Sequence, residues 1–318
     1  MNARPVLLQA TGLLPSLERR LDENYTVHRL PPPGTERDAF LAARAGEVEA
    51  LVTSAGAGAS AALIDALPRL RIISSFGVGL DTLDLDAAKR RGIPVGYTPD
   101  VLNDCVADQA FALLLAIARR IPEADRYVRA GSWTAQPAKS FALGRQVSGA
   151  KLGIVGLGRI GKTIARRAGG FDMEVRYHSR RAVEGVAWPH EPSLLELARW
   201  CDFLVVITAG GAETRHLVNA EVLDALGTKG YLVNVARGTV IDEAALVRAL
   251  QEKRIAGAGL DVFEREPHVP PELFALENVV LAPHIASATV QTREAMAQRV
   301  LDNLSAFYAG QPLPSQAA

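Results

Sequence analysis

The sequence predicts an α/β protein with two doubly wound parallel sheets, and three observations support this fold class. The chain has 318 residues, which is enough for about two domains, and 48% of its residues are apolar, so it can bury a full core. Apolar runs of strand length alternate with amphipathic segments through most of the chain. This alternation is typical of βαβ units, in which a helix connects two parallel strands.

The first series of elements lies in the N-terminal third. Its predicted strands are PVLLQA, YTVHRL, VEALVTS, LRIISSFGVG and IPVGYTP, and its predicted helices include PSLERRLDEN, ERDAFLAARAG and DAAKRRG. A long helical segment, CVADQAFALLLAIARRIPEADRYVRAG, follows these elements. The first half of that segment is apolar on nearly every side, which indicates a helix buried between domains or subunits.

A second series begins at KLGIVGLG and predicts the second sheet. Its further strands are MEVRYHS, CDFLVVIT, GYLVNVAR, IAGAGLDVF and NVVLAPHIA, and a final segment, TVQTREAMAQRVLDNLSAFYAG, has helical periodicity. Ligands of open α/β sheets bind at the carboxyl ends of the strands. We therefore expect the functional residues in the loops that follow strands.

A glycine-rich turn opens the second series and predicts a dinucleotide-binding domain of the Rossmann type. It follows the apolar residues 152–155 and leads into a helix, whose N-terminus binds the phosphates. Gly156 permits the tight turn, Gly158 lets the backbone approach the pyrophosphate, and Gly161 lets helix and strand pack closely. The predicted cofactor contacts of this turn are Gly156, Gly158, Arg159, Ile160 and Gly161.

The end of the next strand determines the expected cofactor. An acidic residue there binds the ribose 2′-hydroxyl of NAD and repels the 2′-phosphate of NADP. Residues 177–181 instead read YHSRR, so Ser179, Arg180 and Arg181 are the predicted contacts of a 2′-phosphate. The sequence therefore favours NADP(H) over NAD(H), and with it the reductive direction. The alternative is that the two arginines are a solvated surface pair.

Three later strands end in polar residues that carry a resemblance to a known family. Arg237 lies in LVNVARG, Asp261 and Glu266 lie in GAGLDVFEREP, and His284 lies in VVLAPHIASAT. With the glycine turn, these segments resemble the D-isomer-specific 2-hydroxyacid dehydrogenase family, and within it the glyoxylate/hydroxypyruvate reductase branch. The resemblance covers nearly the whole chain, from LPRLRIISSFGVGLDTLDLDAAKRRGIPVGYTP through TRHLVNAEVLDALGTKGYLVNVARG to HIASATVQTREAM.

The resemblance implies a catalytic set of Arg237, Glu266 and His284, and the chemistry of 2-oxoacid reduction agrees with it. The carbonyl carbon receives a hydride and its oxygen receives a proton, which the imidazolium of His284 can supply near neutral pH. A carboxylate at Glu266 favours the protonated ring, and the Arg237 guanidinium binds the substrate carboxylate or carbonyl. Singly, each is an ordinary loop or strand-end residue. Their shared place at strand ends of one sheet favours the catalytic interpretation.

The resemblance implies further contacts around this set. Asp261 is expected to orient the nicotinamide, Thr208 to contact the cofactor, and the backbone amides of Val78 and Gly79 to bind the substrate carboxylate. Residues 208–211 read TAGG, which departs from the family, where this loop often contains proline.

The resemblance also implies a domain arrangement. Residues 1–98 and 288–318 are expected to form a flavodoxin-like substrate-binding domain, into which residues 99–287 insert an NAD(P)-binding domain. The apolar helix 106–118 and the segment that runs to Trp133 resemble the family's dimer surface. We therefore expect a homodimer.

Composition argues against several kinds of partner. Lysine plus arginine and aspartate plus glutamate number 35 each, so no basic field favours nucleic acid. No apolar run approaches the roughly 18 residues of a membrane helix. Cys105 and Cys201 lie in apolar surroundings without metal-ligand spacing, which predicts buried thiols and no metal site. We expect a cytoplasmic protein whose partner is a small-molecule 2-oxoacid.

Together these features predict an NADPH-preferring reductase of small 2-oxoacids, glyoxylate and hydroxypyruvate, that forms D-2-hydroxyacids with His284 as the proton donor. Two alternatives remain open. Another dehydrogenase of the same fold would act on phosphoglycerate, phosphite, formate or a larger 2-oxoacid, and the loop TSAGAG, residues 53–58, leaves room for a larger side chain. A non-catalytic dinucleotide-sensing protein would retain the fold and regulate through partner contacts.

Overall fold

The described chain, residues 4–134 and 141–317 of a computed structural model, contains two α/β units, each with its own parallel sheet. One unit comprises Met1–Leu102 and Ala288–Ala318, and the other comprises Asn103–Ser287. The predicted fold class of two doubly wound parallel sheets is confirmed.

The strands alternate with helices along most of the chain, as the sequence predicts. The strands are β1 (Val6–Gln9), β2 (Thr26–Arg29), β3 (Ala50–Ser54), β4 (Ile72–Phe76), β5 (Val95–Gly96), β6 (Lys151–Val155), β7 (Glu174–His178), β8 (Phe203–Val206), β9 (Tyr231–Asn234), β10 (Gly257–Leu260) and β11 (Val279–Leu281). The helices are α1 (Pro15–Asn24), α2 (Thr35–Arg44), α3 (Ala61–Asp65), α4 (Leu85–Arg90), α5 (Asn103–Ala118), α6 (Ile121–Arg129), α7 (Arg159–Ala168), α8 (Leu194–Trp200), α9 (Ala220–Leu226), α10 (Glu243–Gln251) and α11 (Val290–Tyr308).

The discontinuous unit contains β1 to β5 in the spatial order β2-β1-β3-β4-β5, all parallel, which is the flavodoxin-like order. The C-terminal helix α11 packs on β4. Its buried Asn303 donates a hydrogen bond to the Tyr97 carbonyl oxygen at 3.2 Å and accepts one from the Ser315 N–H at 3.2 Å. An added Cβ at Gly96 would lie only 2.7 Å from the Asn303 amide nitrogen, so the helix approaches β5 closely. Helix α11 and Ser315 therefore pack against the sheet that the N-terminal strands form.

The continuous unit contains β6 to β11 in the order β11-β10-β9-β8-β6-β7, again all parallel. The strand order changes direction at β6, which pairs with β7 on one side and β8 on the other. In open α/β sheets a ligand binds at such a switch point, outside the carboxyl ends of the strands. The topology alone therefore predicts a ligand site next to the end of β6.

Helices cover both faces of this second sheet. On one face, Leu197 of α8, Leu223 of α9 and Leu246 of α10 share a buried apolar cluster with the strands. On the other face α5 packs against β9 and β10. An added Cβ at Gly259 would lie 2.9 Å from Leu113 Cβ, so a glycine in β10 lets α5 approach the sheet. Burial on both faces explains why the strands are almost continuously apolar.

Two expectations differ from the structure. The long helical segment after β5 is two helices, because the backbone of Arg120 is left-handed, with φ of 57°. Pro122, the second residue of α6, has no N–H that could continue the hydrogen bonds of α5. Of the two cysteines, Cys201 is buried, but Cys105 on α5 is only partly buried.

Neither a membrane segment nor a metal cluster occurs in the part of the chain that the structure describes. No described helix combines the length and the apolar character needed to span a bilayer. The described His, Cys, Asp and Glu side chains form no group of three or more that could hold a metal ion.

Candidate active site

Four predicted site residues follow neighbouring strands of the second sheet. Arg237 comes after β9, Asp261 and Glu266 come after β10, and His284 comes after β11. These three strands are adjacent and parallel, so they end at the same edge of the sheet. The fold thus gathers chemically active groups from three loops that are far apart in sequence.

The His284 ring and the Glu266 carboxylate form a short hydrogen bond. His284 Nδ1 lies 2.6 Å from Glu266 Oε2, and Glu266 Oε1 accepts a hydrogen bond from the Phe263 N–H at 3.0 Å. With both oxygens held, the carboxylate orients the ring and keeps a proton on Nδ1. Nε2 is then the ring nitrogen that does not take part in this hydrogen bond. The ring is 44% exposed, so it is accessible to a small molecule.

Opposing effects determine the charge of Glu266. Partial burial acts to raise the pKa of Glu266, but hydrogen bonds from His284 and the Phe263 N–H, together with the positive charge of Arg237, outweigh it and lower that pKa. Glu266 is therefore ionised at neutral pH. In that state its Oε2 accepts the hydrogen bond from His284 Nδ1.

Asp261 is fully buried and holds the backbone of the loop that carries His284. Its Oδ1 accepts a hydrogen bond from the Ile285 N–H at 2.9 Å, and its Oδ2 accepts one from the Ala286 N–H at 2.8 Å. Its carbonyl oxygen accepts a third, from the His284 N–H at 2.8 Å. These bonds hold His284 in a left-handed conformation, with φ of 53°, that costs a non-glycine residue on the order of 1–2 kcal/mol.

The charge of Asp261 is also affected by its surroundings. Burial raises the pKa of Asp261, although the N–H groups of Ile285 and Ala286 act in the opposite direction. Both carboxylate oxygens are engaged by backbone, so the structure assigns Asp261 a bracing role under His284. The expected contact of Asp261 with a nicotinamide stays a prediction.

Arg237 lies in a turn that the buried amide of Asn234 shapes. Asn234 Oδ1 accepts a hydrogen bond from the Ala236 N–H at 3.0 Å, and Asn234 Nδ2 donates one to the Arg237 carbonyl oxygen at 3.0 Å. The half-buried guanidinium donates from Nη1 to the Ala236 carbonyl oxygen at 2.8 Å. Its charge contributes to the lowered pKa of Glu266, so the three predicted catalytic residues form one electrostatic group.

A second carboxylate, Glu264, connects the loops around this group. It accepts hydrogen bonds on Oε1 from Arg215 at 2.7 Å and from His216 Nε2 at 3.2 Å. The Glu264 N–H donates to Glu243 Oε2 at 3.0 Å, and the His216 N–H donates to the Thr239 carbonyl oxygen at 2.9 Å. Glu264 is two residues from Glu266, and Thr239 is two residues from Arg237. The cluster therefore links the loops that follow β8, β9 and β10.

The glycine turn has the geometry that phosphate binding requires. Gly156 has φ of 100°, and an added Cβ there would lie 2.8 Å from Thr208 Cα. An added Cβ at Gly161 would lie 2.2 Å from the Gly156 carbonyl oxygen. At Gly158, just before α7, an added Cβ would meet no protein atom within 4 Å. The space in front of the α7 N-terminus, where Arg159 and Ile160 begin the helix, is thus open to an anion.

The segment after β7 contains the predicted 2′-phosphate residues. Ser179 Oγ donates to the Arg181 carbonyl oxygen at 2.6 Å, so this segment forms a tight turn. His178 Nδ1 lies 3.0 Å from the Glu191 carbonyl oxygen, which fixes that ring at the end of the strand. The Arg180 side chain is 84% exposed and forms an ion pair with Glu213.

Val78 and Gly79 lie in the other unit, in the loop after β4, and both are half-buried. The start of that loop is fixed by a pair of hydrogen bonds. The Gly77 N–H donates to Thr98 Oγ1 at 3.1 Å, and the Thr98 N–H donates to the Gly77 carbonyl oxygen at 2.9 Å. The proposed part of Val78 and Gly79 in substrate binding stays a prediction.

Comparison with known proteins decides the family. A family model described as "D-isomer specific 2-hydroxyacid dehydrogenase, NAD binding domain" matches residues 111–286. The chain belongs to this family. It is 50% identical over 297 residues to a hydroxyphenylpyruvate reductase of Plectranthus scutellarioides, which covers 93% of this chain and 94% of that protein. It is 48% identical, with the same coverage, to a glyoxylate/hydroxypyruvate reductase of Arabidopsis thaliana.

A solved structure agrees with this assignment over nearly the whole dehydrogenase. An NADPH-dependent glyoxylate/hydroxypyruvate reductase of Sinorhizobium meliloti, in complex with NADP and malonate, superposes with a TM-score of 0.92. It is 43% identical, and the match covers 99% of this chain and 97% of that one. The predicted family and branch are confirmed, and so is an NAD(P)(H) cofactor.

Several residues that shape the site of this dehydrogenase are absent from the sequence-based prediction. Asn234 and Glu264 act through backbone and side-chain contacts with loops of other strands. A signal for Asn234 was present, because it is a polar residue at the end of an apolar strand, three residues before Arg237. Glu213 and His216 gave no such signal, since their partners are known only from the folded chain.

We expect Asp261→Asn to lower both stability and turnover. The amide keeps one acceptor but turns an N–H donor towards a backbone N–H, which leaves a buried polar group unpaired and costs about 1–3 kcal/mol. His284 then loses its fixed position, so kcat falls more than KM changes. Urea unfolding and steady-state kinetics measure the two effects. Asp224→Asn, which removes an exposed partner of Arg254, is the matched control. A variant at 261 with the kinetics and stability of that control would contradict the bracing role.

Proposed function

We propose that this dehydrogenase is an NADPH-preferring reductase that converts small 2-oxoacids, glyoxylate and hydroxypyruvate, to D-2-hydroxyacids. The observation that carries the proposal is the 2.6 Å hydrogen bond between His284 Nδ1 and Glu266 Oε2, with Arg237 at the same sheet edge. This arrangement supplies a proton donor and a cation for a carboxylate in one place. The relatives named as reductases of hydroxyphenylpyruvate, glyoxylate and hydroxypyruvate support the substrate class.

In the proposed mechanism NADPH supplies the hydride that adds to the carbonyl carbon. His284 Nε2 donates a proton to the carbonyl oxygen, and Glu266 stabilises the imidazolium until that transfer. Arg237 binds the substrate carboxylate through its planar fork and offsets the negative charge that develops on the oxygen. The neutral imidazole then takes up a proton for the next turnover.

We also propose a division of labour between the two parts of the chain. Residues 99–287 bind the cofactor, a role that the match of an NAD binding domain to residues 111–286 supports. Residues 1–98 and 288–318 bind the substrate, with the N–H groups of Val78 and Gly79 as donors to its carboxylate. The proposed cofactor contacts are Gly156, Gly158, Arg159, Ile160, Gly161, Ser179, Arg180, Arg181, Thr208 and Asp261.

The proposed preference for NADPH depends on the cationic segment after β7. Arg180 and Arg181 are exposed there, and residues 179–181, directly after the strand, include no acidic residue. The NADP in the Sinorhizobium meliloti relative supports the same choice.

A larger 2-oxoacid is a second candidate substrate, and two observations favour it. The relative from Plectranthus scutellarioides is named for an aromatic 2-oxoacid and is 50% identical. In this chain, residues 53–58 at the end of β3 have only small side chains. This loop would leave space for a side chain beyond a hydroxymethyl group.

We propose further that the protein is a cytoplasmic homodimer. Large apolar side chains are exposed on and after α6, namely Ile121 at 56%, Val128 at 53%, Trp133 at 65% and Leu143 at 93%. Such a group of exposed apolar residues is typical of a subunit interface.

A substrate and cofactor panel tests the proposed function. We expect kcat/KM with NADPH to exceed that with NADH by about tenfold. One charge-assisted hydrogen bond to an exposed arginine contributes a binding free energy at the lower end of the usual range for such bonds. Glyoxylate and hydroxypyruvate should exceed hydroxyphenylpyruvate in kcat/KM. A preference for NADH would contradict the cofactor assignment. The absence of turnover with every 2-oxoacid would favour a dinucleotide-sensing protein.

The proton donor is tested by substitution at His284 and Glu266. His284→Ala should lower kcat by roughly a hundredfold or more, the contribution of a general acid. Glu266→Gln removes the charge that stabilises the imidazolium, so the loss of activity with rising pH should begin at lower pH. The lowered pKa of Glu266 also means that its contribution to stability is present above its unfolded pKa and is lost as the pH falls through the folded value.

Measurement of kcat and stability against pH for both variants separates these effects. Glu272→Gln removes an exposed carboxylate from the connection between β10 and β11 and serves as the control. A Glu266→Gln enzyme with the wild-type pH profile would remove Glu266 from the mechanism.

The oligomeric state is measured by light scattering after size-exclusion chromatography. We expect about twice the mass of one chain, which is 34.0 kDa. We expect Trp133→Lys to lower the mass, because it places a charge in the proposed apolar interface. A wild-type mass near that of one chain would contradict the dimer.

A further inference from the structure

An ion pair connects two loops at the predicted ribose end of the cofactor site. Arg180, two residues after β7, pairs with Glu213, which lies in the loop after β8. β7 and β8 are the two neighbours of β6 in the sheet. The pair therefore joins the loops on either side of the strand that leads into the glycine turn.

The backbone of the β8 loop determines where Glu213 lies. Gly211, with φ of 145°, precedes a single 3-10 turn, Ala212–Thr214, in which Glu213 is the central residue. Thr214 Oγ1 closes this turn by donating to the Ala209 carbonyl oxygen at 2.8 Å. Thr208, the second residue of this loop, lies against Gly156. The unusual TAGG sequence thus produces a turn that starts on the phosphate-binding glycines and presents a carboxylate to Arg180.

Fold stability does not account for this pair. The side chains of Arg180 and Glu213 are 84% and 75% exposed. An ion pair between side chains so well solvated contributes little to folding, because water compensates each charge when the pair opens. The same exposure allows another anion to replace the Glu213 carboxylate on Arg180.

We propose that Glu213 is a specificity-determining residue that competes with the 2′-phosphate of NADPH for Arg180. The inference rests on the proposed binding of that phosphate by Arg180. In the cofactor-free protein the carboxylate neutralises the guanidinium. When NADPH binds, the 2′-phosphate replaces Glu213 on Arg180, since a guanidinium fork binds a phosphate dianion more strongly than a single carboxylate.

Two effects of Glu213 then lower the affinity for NADPH. Its contact with Arg180 has to open, and its charge remains near the incoming phosphate and repels it. Neither effect acts on NADH, whose ribose carries an uncharged hydroxyl at the same position. Glu213 therefore reduces the preference for NADPH that the arginines create, and the protein retains the use of both dinucleotides.

The test measures dissociation constants by fluorescence titration, with no turnover required. The ligands are NADPH, NADH and adenosine 2′,5′-bisphosphate, which carries the 2′-phosphate without the nicotinamide. The variants are Glu213→Gln, Arg180→Ala and the double variant. The control is Glu196→Gln, which removes a carboxylate from another exposed Arg–Glu pair of the same unit, that with Arg199 on α8.

We expect Glu213→Gln to bind NADPH and adenosine 2′,5′-bisphosphate roughly threefold to tenfold more tightly, with the NADH dissociation constant unchanged. The gain should shrink at high salt, which screens exposed charges. It should be smaller in the Arg180→Ala background, because the contact with Arg180 no longer has to open there and only the repulsion by the Glu213 charge remains. The Glu196→Gln control should bind all three ligands as the wild type does.

Two results would overturn the inference, and they identify different errors. If Arg180→Ala weakens NADPH binding but Glu213→Gln leaves it unchanged, or changes NADH binding equally, the cofactor proposal stands and the role of Glu213 is wrong. If Arg180→Ala leaves NADPH binding unchanged, the cofactor proposal itself is wrong, and the role of Glu213 fails with it.

Discussion

The buried carboxylate of Asp261 and the two N–H groups that it binds hold together the sheet edge at the candidate active site. The histidine loop adopts a conformation that is unfavourable for a non-glycine residue, and it stays there because leaving would strip Asp261 of both partners. An unpaired buried carboxylate costs several kcal/mol, more than the strain at His284. The hydrogen bonds of Asp261 therefore outweigh the backbone strain at His284. The position of the His284 ring, and its bond to Glu266, depend on them.

Two carboxylates in the loop after β10, those of Asp261 and Glu266, have pKa values that are shifted in opposite directions. Burial raises the pKa of Asp261, whereas hydrogen bonds from His284 and the Phe263 N–H lower the pKa of Glu266 despite its own burial. Backbone N–H groups bind the first carboxylate and the imidazole of His284 binds the second, so the same functional group holds a loop in one position and orients a ring in the other. Glu264 lies in the same loop and connects it to the loop after β8 through hydrogen bonds from Arg215 and His216.

The sequence predicts the parts of this arrangement that depend on local pattern. Strand runs, the glycines at 156, 158 and 161, and polar residues at strand ends all follow from periodicity and from the geometry of parallel sheets. The break between α5 and α6 was also accessible, since Pro122 stands inside the helical segment. The hydrogen bonds of Asp261 could not be predicted from the sequence. Their partners lie 24 and 25 residues later and become neighbours only when β10 pairs with β11. The pairing of Arg180 with Glu213, 33 residues apart, was not accessible either, since it depends on a loop conformation that Gly211 permits with its φ of 145°.

The seating of α11 on β4 and β5 has a consequence for the order in which the protein is made. The second unit is one uninterrupted stretch, Asn103–Ser287, so it has all of its own strands as soon as that stretch leaves the ribosome. The first unit does not, because its buried contacts from Tyr97 to Asn303 and Ser315 need residues that follow the second unit in the sequence. Domains usually form as units from the N-terminus onward. Here the first unit lacks Asn303 and Ser315 until residues 103–287 have been made, so the second unit has its whole sheet before the first unit has all of its buried contacts.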